Sequence, residues 1–318
     1  MLHQNAKHYQ SSVYDKEFYD GRYAKGYMEA WPIDKKTRVF EVIKGLHLPE
    51  KGEALDFGCG NGVFTQVLKQ ALPHWRVYGC DISEIAVGNA KRNNPGCTFF
   101  VEGSRAYQEK KFDFIFSHHV LEHVLDIKET VLEITGRTNN NASMLHILPC
   151  GNRDSFEWQI CQLVNGGIDE KRGNVFFFEY EGHLRRMTTE SCVFEFKNSA
   201  FMLKQAFYSN QYYGALNWIT RSNPLVILKM FNPIGGESAK AKLTLMLLLC
   251  KFIVIAGFRL PYVAYQRFDS FIVKFLFFIP SYSVSIFIDK YIIKKSNQEW
   301  EKYKTDSNGS EMYLYFTR

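Results

Sequence analysis

The sequence predicts an α/β protein with a mostly parallel sheet of seven strands, and three observations lead to this fold class. Short apolar runs alternate with helical segments between residues 53 and 148. The connections between them are short and contain Gly, Asn or Pro, which is typical of βαβ units. Residues 311–316 have the alternation of a strand, so a last strand follows a long helical insertion.

Taken in order along the chain, the pattern divides into four segments. Residues 1–50 are first rich in tyrosine and then periodic, which predicts an N-terminal helical cover with Asp34 as a helix cap. Residues 51–214 form the predicted core, residues 215–305 an apolar, basic helical insertion, and residues 306–318 the final strand. The predicted core strands are 54–56, 76–80, 98–101, 112–117, 144–148 and 203–208, and the helices are 63–72, 83–93, 126–137, 155–163 and 189–199.

The composition is that of a folded, globular chain. Of the 318 residues, 46% are hydrophobic and 23% are charged, which argues against a disordered or fibrous protein. The seven cysteines include no Cys-x-x-Cys pair, so we expect neither a disulfide framework nor a structural zinc site. The first 27 residues contain no apolar stretch of the kind that a secretory signal needs. We therefore expect a cytoplasmic location.

A glycine loop follows the first predicted strand. It reads Asp56-Phe57-Gly58-Cys59-Gly60-Asn61-Gly62 and leads into a helix. Glycines allow the chain to turn sharply and bring its amide groups close to a ligand at the N-terminus of that helix. Two classes of ligand use this geometry, the dinucleotides and S-adenosylmethionine. The second strand ends at Asp81, where a carboxylate can accept both ribose hydroxyls in either class.

The charge beside the loop distinguishes these two classes. A carboxylate at Asp56 would repel a pyrophosphate, whereas it attracts a ligand with an ammonium and a sulfonium group. A dinucleotide loop also has Gly or Ala three residues after its second glycine, where this chain has Val63. The loop therefore favours S-adenosylmethionine. The alternatives are an NAD(P)-dependent oxidoreductase and a cofactor-binding subunit without catalytic activity.

Three motifs resemble the class I S-adenosylmethionine-dependent methyltransferases, most closely the branch of the ubiquinone-biosynthesis and sugar methyltransferases. They are LDFGCGNGVF at 55–64, YGCDIS at 78–83, and FDFIFS with VLEHV between 112 and 124. The resemblance implies a Rossmann-like sheet, S-adenosylmethionine as cofactor and a small-molecule oxygen as acceptor. Ser104 stands where the family usually has an acid for the adenine amine, with Glu102 as a neighbour that could replace it. The cofactor-binding residues implied by position are Asp56, Gly58, Cys59, Gly60, Asp81, Ile82, Ser104 and Ser117.

Three histidines and a glutamate follow the fourth predicted strand, close to the expected methyl group. The segment 117–123 reads SHHVLEH, and one interpretation is a packing and turn motif. A second is general-base catalysis, in which His119 or His123 removes the acceptor's proton. A third is a metal site with His119, Glu122 and His123 as ligands and His183 completing the set. We predict His119 and His123 as catalytic residues and no metal, and the metal interpretation stays open.

The predicted insertion is both apolar and basic. Residues 238–296 contain nine basic and two acidic residues, so the rest of the chain is near neutral, which argues against a nucleic-acid substrate. Its apolar segments 243–258 and 271–288 are short or interrupted for transmembrane helices. Two interpretations remain, a lid buried on the core and a surface, through 240–295, that rests on the inner face of an anionic membrane. The predicted acceptor is a sugar or a lipid-linked, isoprenoid-type molecule, in a pocket partly lined by the aromatic residues at 176–180.

Overall fold

The computed structural model describes residues 16–27, 31–164, 183–222, 224–267, 270–280 and 284–318, and it confirms the predicted α/β fold in these ranges. The aromatic run at 176–180 lies outside the described residues. The strands are β1 (Glu53–Phe57), β2 (Arg76–Asp81), β3 (Thr98–Val101), β4 (Phe112–His118), β5 (Thr138–Pro149), β6 (Met202–Ser209) and β7 (Glu311–Thr317).

Helices connect these strands and extend beyond them. Those of the predicted cover and core are α1 (Lys16–Tyr23), α2 (Ile33–Gly45), α3 (Val63–Ala71), α4 (Glu84–Asn93), α5 (Arg105–Gln108), α6 (Ile127–Gly136), α7 (Phe156–Leu163) and α8 (Thr189–Phe196). The later ones are α9 (Tyr213–Ile219), α10 (Pro224–Met230), α11 (Ala239–Arg267), α12 (Phe271–Pro280) and α13 (Ile286–Tyr303).

The described strands form one seven-stranded sheet in the order β3-β2-β1-β4-β5-β7-β6. The pairs β1–β2, β1–β4, β2–β3 and β4–β5 are parallel. The carboxyl ends of β1, β2 and β4 therefore meet at one edge, where the strand order reverses between β1 and β4. Parallel sheets bind ligands at such a point. This edge carries the glycine loop, Asp81 and the histidine cluster.

Local capping explains where the helices beside this edge begin. The hydroxyl of Ser83 accepts a hydrogen bond from the amide of Ala86 at 3.1 Å and caps α4. Asp126 caps α6 in the same way through two amides. The predicted cap at Asp34 is wrong, because α2 begins at Ile33 and Asp34 lies inside its first turn.

The chain divides into two compact units. The first comprises the described parts of 1–149, 181–206 and 313–318, and the second those of 150–180 and 207–312. Helix α7 therefore belongs to the second unit, although the predicted core extends to residue 214. The reason is packing, since apolar side chains of α7 join the core formed by α9, α10 and α11.

Candidate functional site

The loop between β1 and α3 turns through glycines in the left-handed backbone region. Gly58 and Gly60 have φ values of 71° and 51°, which residues with a side chain rarely adopt. A Cβ atom at Gly58 would also overlap the side chain of Val120. The amide of Cys59 donates to the carbonyl oxygen of Cys80 at 2.8 Å and ties the loop to β2. Glycine is therefore required at Gly58, whose backbone lines the cavities beside the loop.

Asp81, at the end of β2, holds the glycine loop in place. Its Oδ2 accepts the amide hydrogen of Gly60 at 2.9 Å, and its Oδ1 accepts that of Ser83 at 2.9 Å. Burial raises the pKa of Asp81 to about 6, although these backbone hydrogen bonds lower it. The same residue lines the larger of two cavities at this edge. It stands where a ribose would bind, and that role stays a prediction.

Asp56, at the end of β1, is a buried carboxylate that faces the smaller cavity. Its Oδ2 accepts a hydrogen bond from the Thr65 hydroxyl at 2.6 Å. Burial raises the pKa of Asp56 to about 7, with Thr65 lowering it and the charge of Asp81 raising it further. A cation in the cavity would favour the ionised carboxylate. The geometry is therefore compatible with the predicted contact to a positively charged ligand.

The two cavities have volumes of about 380 Å³ and about 80 Å³. They share Gly58 and His119, so the glycine loop and the histidine cluster border both. Their described lining residues contain several carboxylates and neither lysine nor arginine. The carboxylates are Asp81, Glu102, Asp126, Glu129 and Glu133 in the larger cavity and Asp56 in the smaller one.

The remaining predicted cofactor residues divide into two groups. Cys59 lines the smaller cavity and Ile82 the larger one. Ser104 is absent from the described lining of both cavities, while Glu102 lines the larger one. Burial raises the pKa of Glu102 to about 7, so this carboxyl group can donate or accept a hydrogen bond near neutral pH. Glu102 is therefore a better candidate than Ser104 for the adenine end.

Ser117 is absent from the described lining of both cavities, and its predicted contact with the cofactor stays a prediction. Its hydroxyl is 2.8 Å from Nδ1 of His146 on the neighbouring strand, and both residues are buried. Successive side chains of a strand point to opposite faces. His118, the next residue of β4, accordingly lines the smaller cavity instead. Burial lowers the pKa of His146 to about 3, so its imidazole is neutral.

His119 sits directly after β4 with a φ of 55°, an uncommon conformation for a residue other than glycine. Its amide donates to the carbonyl oxygen of Ile147 at 2.8 Å, and its Nδ1 lies 3.2 Å from Oε1 of the buried Glu122. Burial alone would raise the pKa of Glu122, but His119, His123 and His183 outweigh it and hold that pKa at about 2. Glu122 is thus a carboxylate that orients and polarises imidazoles.

The segment that begins at His183 packs against the turn after β4. The guanidinium of Arg185 donates to three backbone carbonyls within the turn 121–125, two of them at 3.2 and 2.9 Å. The His183 ring consequently lies 4.6 Å from that of His123. One possible ligand atom each from Glu122, His123 and His183 lies within 4.8 Å of the others. The metal interpretation therefore stays open with these three residues, and our expectation of no metal stays a prediction.

Aromatic side chains from the N-terminal cover form part of the site, which the sequence analysis missed. Tyr19, Tyr23, Tyr27 and Trp31 line the smaller cavity. The Trp31 ring packs edge-on against that of His118, with 4.8 Å between centroids. The spacing of these tyrosines predicts a helical cover but does not indicate which distant residues the rings contact.

Solved structures that the chain resembles include two methyltransferases of low sequence identity. Magnesium protoporphyrin IX methyltransferase from Synechocystis PCC 6803, with bound SAH, is 19% identical with a TM-score of 0.42, over 57% of this chain and 80% of that one. Coclaurine N-methyltransferase, bound to N-methylheliamine and SAH, is 11% identical with a TM-score of 0.46, over 89% of this chain and 72% of that one.

Curated relatives match about a third of the chain or less. A trans-aconitate 2-methyltransferase of Variovorax paradoxus (strain S110) is 30% identical over 101 residues, 31% of this chain and 39% of that protein. A malonyl-[acyl-carrier protein] O-methyltransferase 1 of Ilyobacter polytropus is 36% identical over 76 residues, 23% of this chain and 28% of that protein. The chain thus spans less than two fifths of either relative. The family model of the methyltransferase domain matches residues 17–191, more than half of the chain.

Proposed function

Because this chain belongs to the class I S-adenosylmethionine-dependent methyltransferase family, with S-adenosylmethionine as its cofactor, we propose that it methylates an oxygen atom of a small-molecule acceptor. The observation that carries the proposal is that the predicted cofactor-binding residues and the predicted base lie around the same cavities. The glycine loop and its two aspartates border the same cavities as His119. A cofactor and an acceptor bound there would meet at the end of β4.

The described residues suit this cofactor. The loop backbone at Gly58 and Gly60 would lie against its amino-acid part, and Asp56 would bind the positive charge. Asp81 keeps lone pairs for the ribose hydroxyls, and Ile82 and Glu102 would border the adenine. When bound, S-adenosylmethionine supplies a methyl group activated by its sulfonium. The chain's own contribution is to hold the acceptor oxygen in line with that methyl group.

His119 is proposed as the general base. Its Nδ1 lies beside the carboxylate of Glu122, so the Nδ1–H tautomer is favoured and Nε2 becomes the basic nitrogen. That nitrogen would accept the proton of an acceptor hydroxyl as the hydroxyl oxygen attacks. His123 lines both cavities as well and is the second candidate. A base of this kind typically contributes about two to four orders of magnitude in rate.

The charge of the site favours an uncharged acceptor. The names of the two curated relatives denote acceptors with carboxylates, whose oxygens need no base. Here the described cavity residues include carboxylates and lack lysine and arginine, so a carboxylate acceptor would meet repulsion. We propose a hydroxyl of a sugar or of a lipid-linked, isoprenoid-type molecule. The protein would work in the cytoplasm, at the inner face of the membrane through residues 240–295.

The test is the formation of S-adenosylhomocysteine with a panel of sugars and polyprenol-linked acceptors. We expect turnover by the wild type and a loss of about 100-fold or more in kcat for His119→Asn, with S-adenosylhomocysteine affinity unchanged. Asparagine tolerates the left-handed backbone of this position. His74→Ala, at an exposed histidine, is the matched control. Cofactor binding without turnover on any acceptor would favour the alternative of a subunit without catalytic activity. Wild-type turnover by His119→Asn would show that the histidine cluster has a packing role and that His119 is not the base.

A further inference from the structure

Helix α11 carries apolar residues on all sides and is largely uncovered. Its stretch Ala239–Gln266 is long and apolar enough to cross a membrane, with a mean hydropathy of 2.1, and 17% of its apolar window is buried. On one side, Leu245 and Phe252 are fully buried in the core of the second unit. On the other side, Leu247 and Val254 are 60% and 55% exposed. A helix that is apolar on all sides is normally covered by protein or by lipid.

Helix α12 and the start of α13 extend this exposed surface. Phe271, Phe275 and Leu276 are 82%, 73% and 63% exposed, and Phe287 is 72% exposed. Exposed apolar patches of this kind mark interaction sites. We call this surface the apolar face and define it by its exposed residues: Leu243, Met246, Leu247, Ile253, Val254, Phe258, Leu260, Phe271, Ile272, Phe275, Leu276, Phe278, Val284, Phe287 and Tyr291. This exposure differs from the buried lid that was one of the two expectations.

In the described part of 238–296, the exposed charged side chains are all positive. Lys240, Lys242, Lys251, Lys290 and Lys294 are exposed on α11 and α13. Among the described residues between 238 and 296, the one acidic side chain is buried within an ion-pair network. A second copy docked on the same face would bring lysines against lysines. Anionic lipid headgroups provide the opposite charge, and acyl chains provide the apolar cover.

Buried polar groups argue that α11 lies along a membrane and does not cross it. Arg259, fully buried on α11, donates to Asp289 of α13 at 2.6 Å and to the carbonyl oxygen of Asn217 at 3.0 Å. Arg221 donates to the same carboxylate at 2.7 Å. Crossing the membrane would place this network and the polar second half of α13 in hydrocarbon. Helix α12, with 10 residues, is about 15 Å long and too short to span.

We propose that the apolar face inserts into one leaflet of a bilayer that contains anionic lipid, with α11 and α12 in the plane of the interface and the lysines on the headgroups. The inference deepens the proposed function, on which it rests for the lipid-linked nature of the acceptor. Membrane binding is measured without cofactor or acceptor. Its failure is therefore distinguishable from a failure of methyl transfer.

The experiment is cosedimentation of the full chain with vesicles of phosphatidylcholine, with or without about 30% phosphatidylglycerol. We expect binding to the anionic vesicles that is about tenfold or more tighter than to the neutral ones. Phe271→Asp combined with Phe275→Asp should weaken this binding at least about tenfold. Lys290→Glu combined with Lys294→Glu should remove most of the preference for anionic lipid. Both pairs replace exposed or surface side chains, and circular dichroism verifies that each variant folds.

The matched control is Leu132→Asp combined with Met202→Asp, at apolar residues of the first unit that are 71% and 72% exposed. It should bind vesicles like the wild type. The proposal is overturned by a wild type that does not bind, or by equal losses in the control and the phenylalanine variant. Vesicle-bound protein that resists extraction by alkaline carbonate would indicate that α11 spans the bilayer, and this would overturn the in-plane arrangement. If the wild type did not bind vesicles but formed a dimer that the phenylalanine variant abolished, the apolar face would bind a second copy of the chain instead of a membrane.

Discussion

The replacement Asp56→Asn tests the electrostatic basis of cofactor binding. The carboxyl group of Asp56 is buried and accepts a hydrogen bond from Thr65, which an asparagine oxygen can also accept. The substitution therefore removes the charge and keeps the shape. A charged hydrogen bond is worth about 1.5–3 kcal/mol, so we expect the variant to bind S-adenosylhomocysteine about 10- to 150-fold more weakly at pH 8.

The pH dependence gives a second magnitude. Burial raises the pKa of Asp56 from an ordinary 3.8 to about 7, so the group is largely neutral at pH 6 and largely ionised at pH 8. A ligand cation binds the ionised form, and wild-type affinity should therefore rise about tenfold between these pH values. The Asp56→Asn profile should lack this rise. Because a raised carboxyl pKa means that ionisation costs stability as pH increases, the variant should also melt at a higher temperature at pH 8.

The assay is isothermal titration calorimetry with S-adenosylhomocysteine, which keeps the amino group and is not consumed. Asp113→Asn is the matched control, because Asp113 accepts hydrogen bonds from Glu53 and Asn139 at the opposite end of the strands. Its pH profile should follow the wild type. Wild-type affinity and an unchanged pH profile in Asp56→Asn would refute the electrostatic argument.

Three further predictions concern the loop, the histidine cluster and the second unit. Gly58→Ala should abolish measurable cofactor binding in the same titration, because its Cβ would overlap Val120; retained binding would show that the loop can rearrange. Glu122→Gln should reduce the loss of stability on acidification. A carboxyl pKa of about 2 instead of 4.5 stabilises the fold by about 3 kcal/mol above pH 4.5, and this contribution is lost as the pH falls towards 2. Denaturant titrations at several pH values measure the free energy of unfolding, and an unchanged fall of that free energy below pH 4.5 would contradict the argument. Asp289→Asn should destabilise the second unit by about 3–5 kcal/mol, because it leaves Arg259 buried without its charge partner. Thermal unfolding would detect this loss, and an unchanged melting temperature would contradict the argument.

The sheet could be predicted because each strand carries its own local signal. The bounds of β3 are those expected, and those of β2 and β4 differ by one residue, since apolar runs between Gly, Asn and Pro define them. β5 extends well beyond its predicted range of 144–148, because its polar start at 139–141 has no apolar periodicity that would indicate a strand. Tertiary context outweighs local pattern there.

The candidate site was only partly predictable, because its parts depend on distant residues. The hydroxyl of Ser117 contacts His146, and the predicted contact of Ser117 with the cofactor stays a prediction. A strand that is apolar on both faces gives no sign of which side faces the ligand. The approach of His183 to His123 depends on a return of the chain after sixty residues of sequence. The tyrosines of α1 face the cavity for the same kind of reason. Side chains that folding brings together over such separations leave no periodic signature.

The double hydrogen bonding of Asp81 has a practical consequence for altering the specificity of this protein. The carboxylate of Asp81 both holds the Gly60 turn and faces the cavity. A replacement of Asp81 would therefore deform the glycine loop as well as change which ligands the cavity binds. Attempts to admit enlarged sulfonium analogues should therefore leave this aspartate alone. Ile82 and Glu102 offer the safer starting points, because they border the larger cavity without supporting the glycine turn.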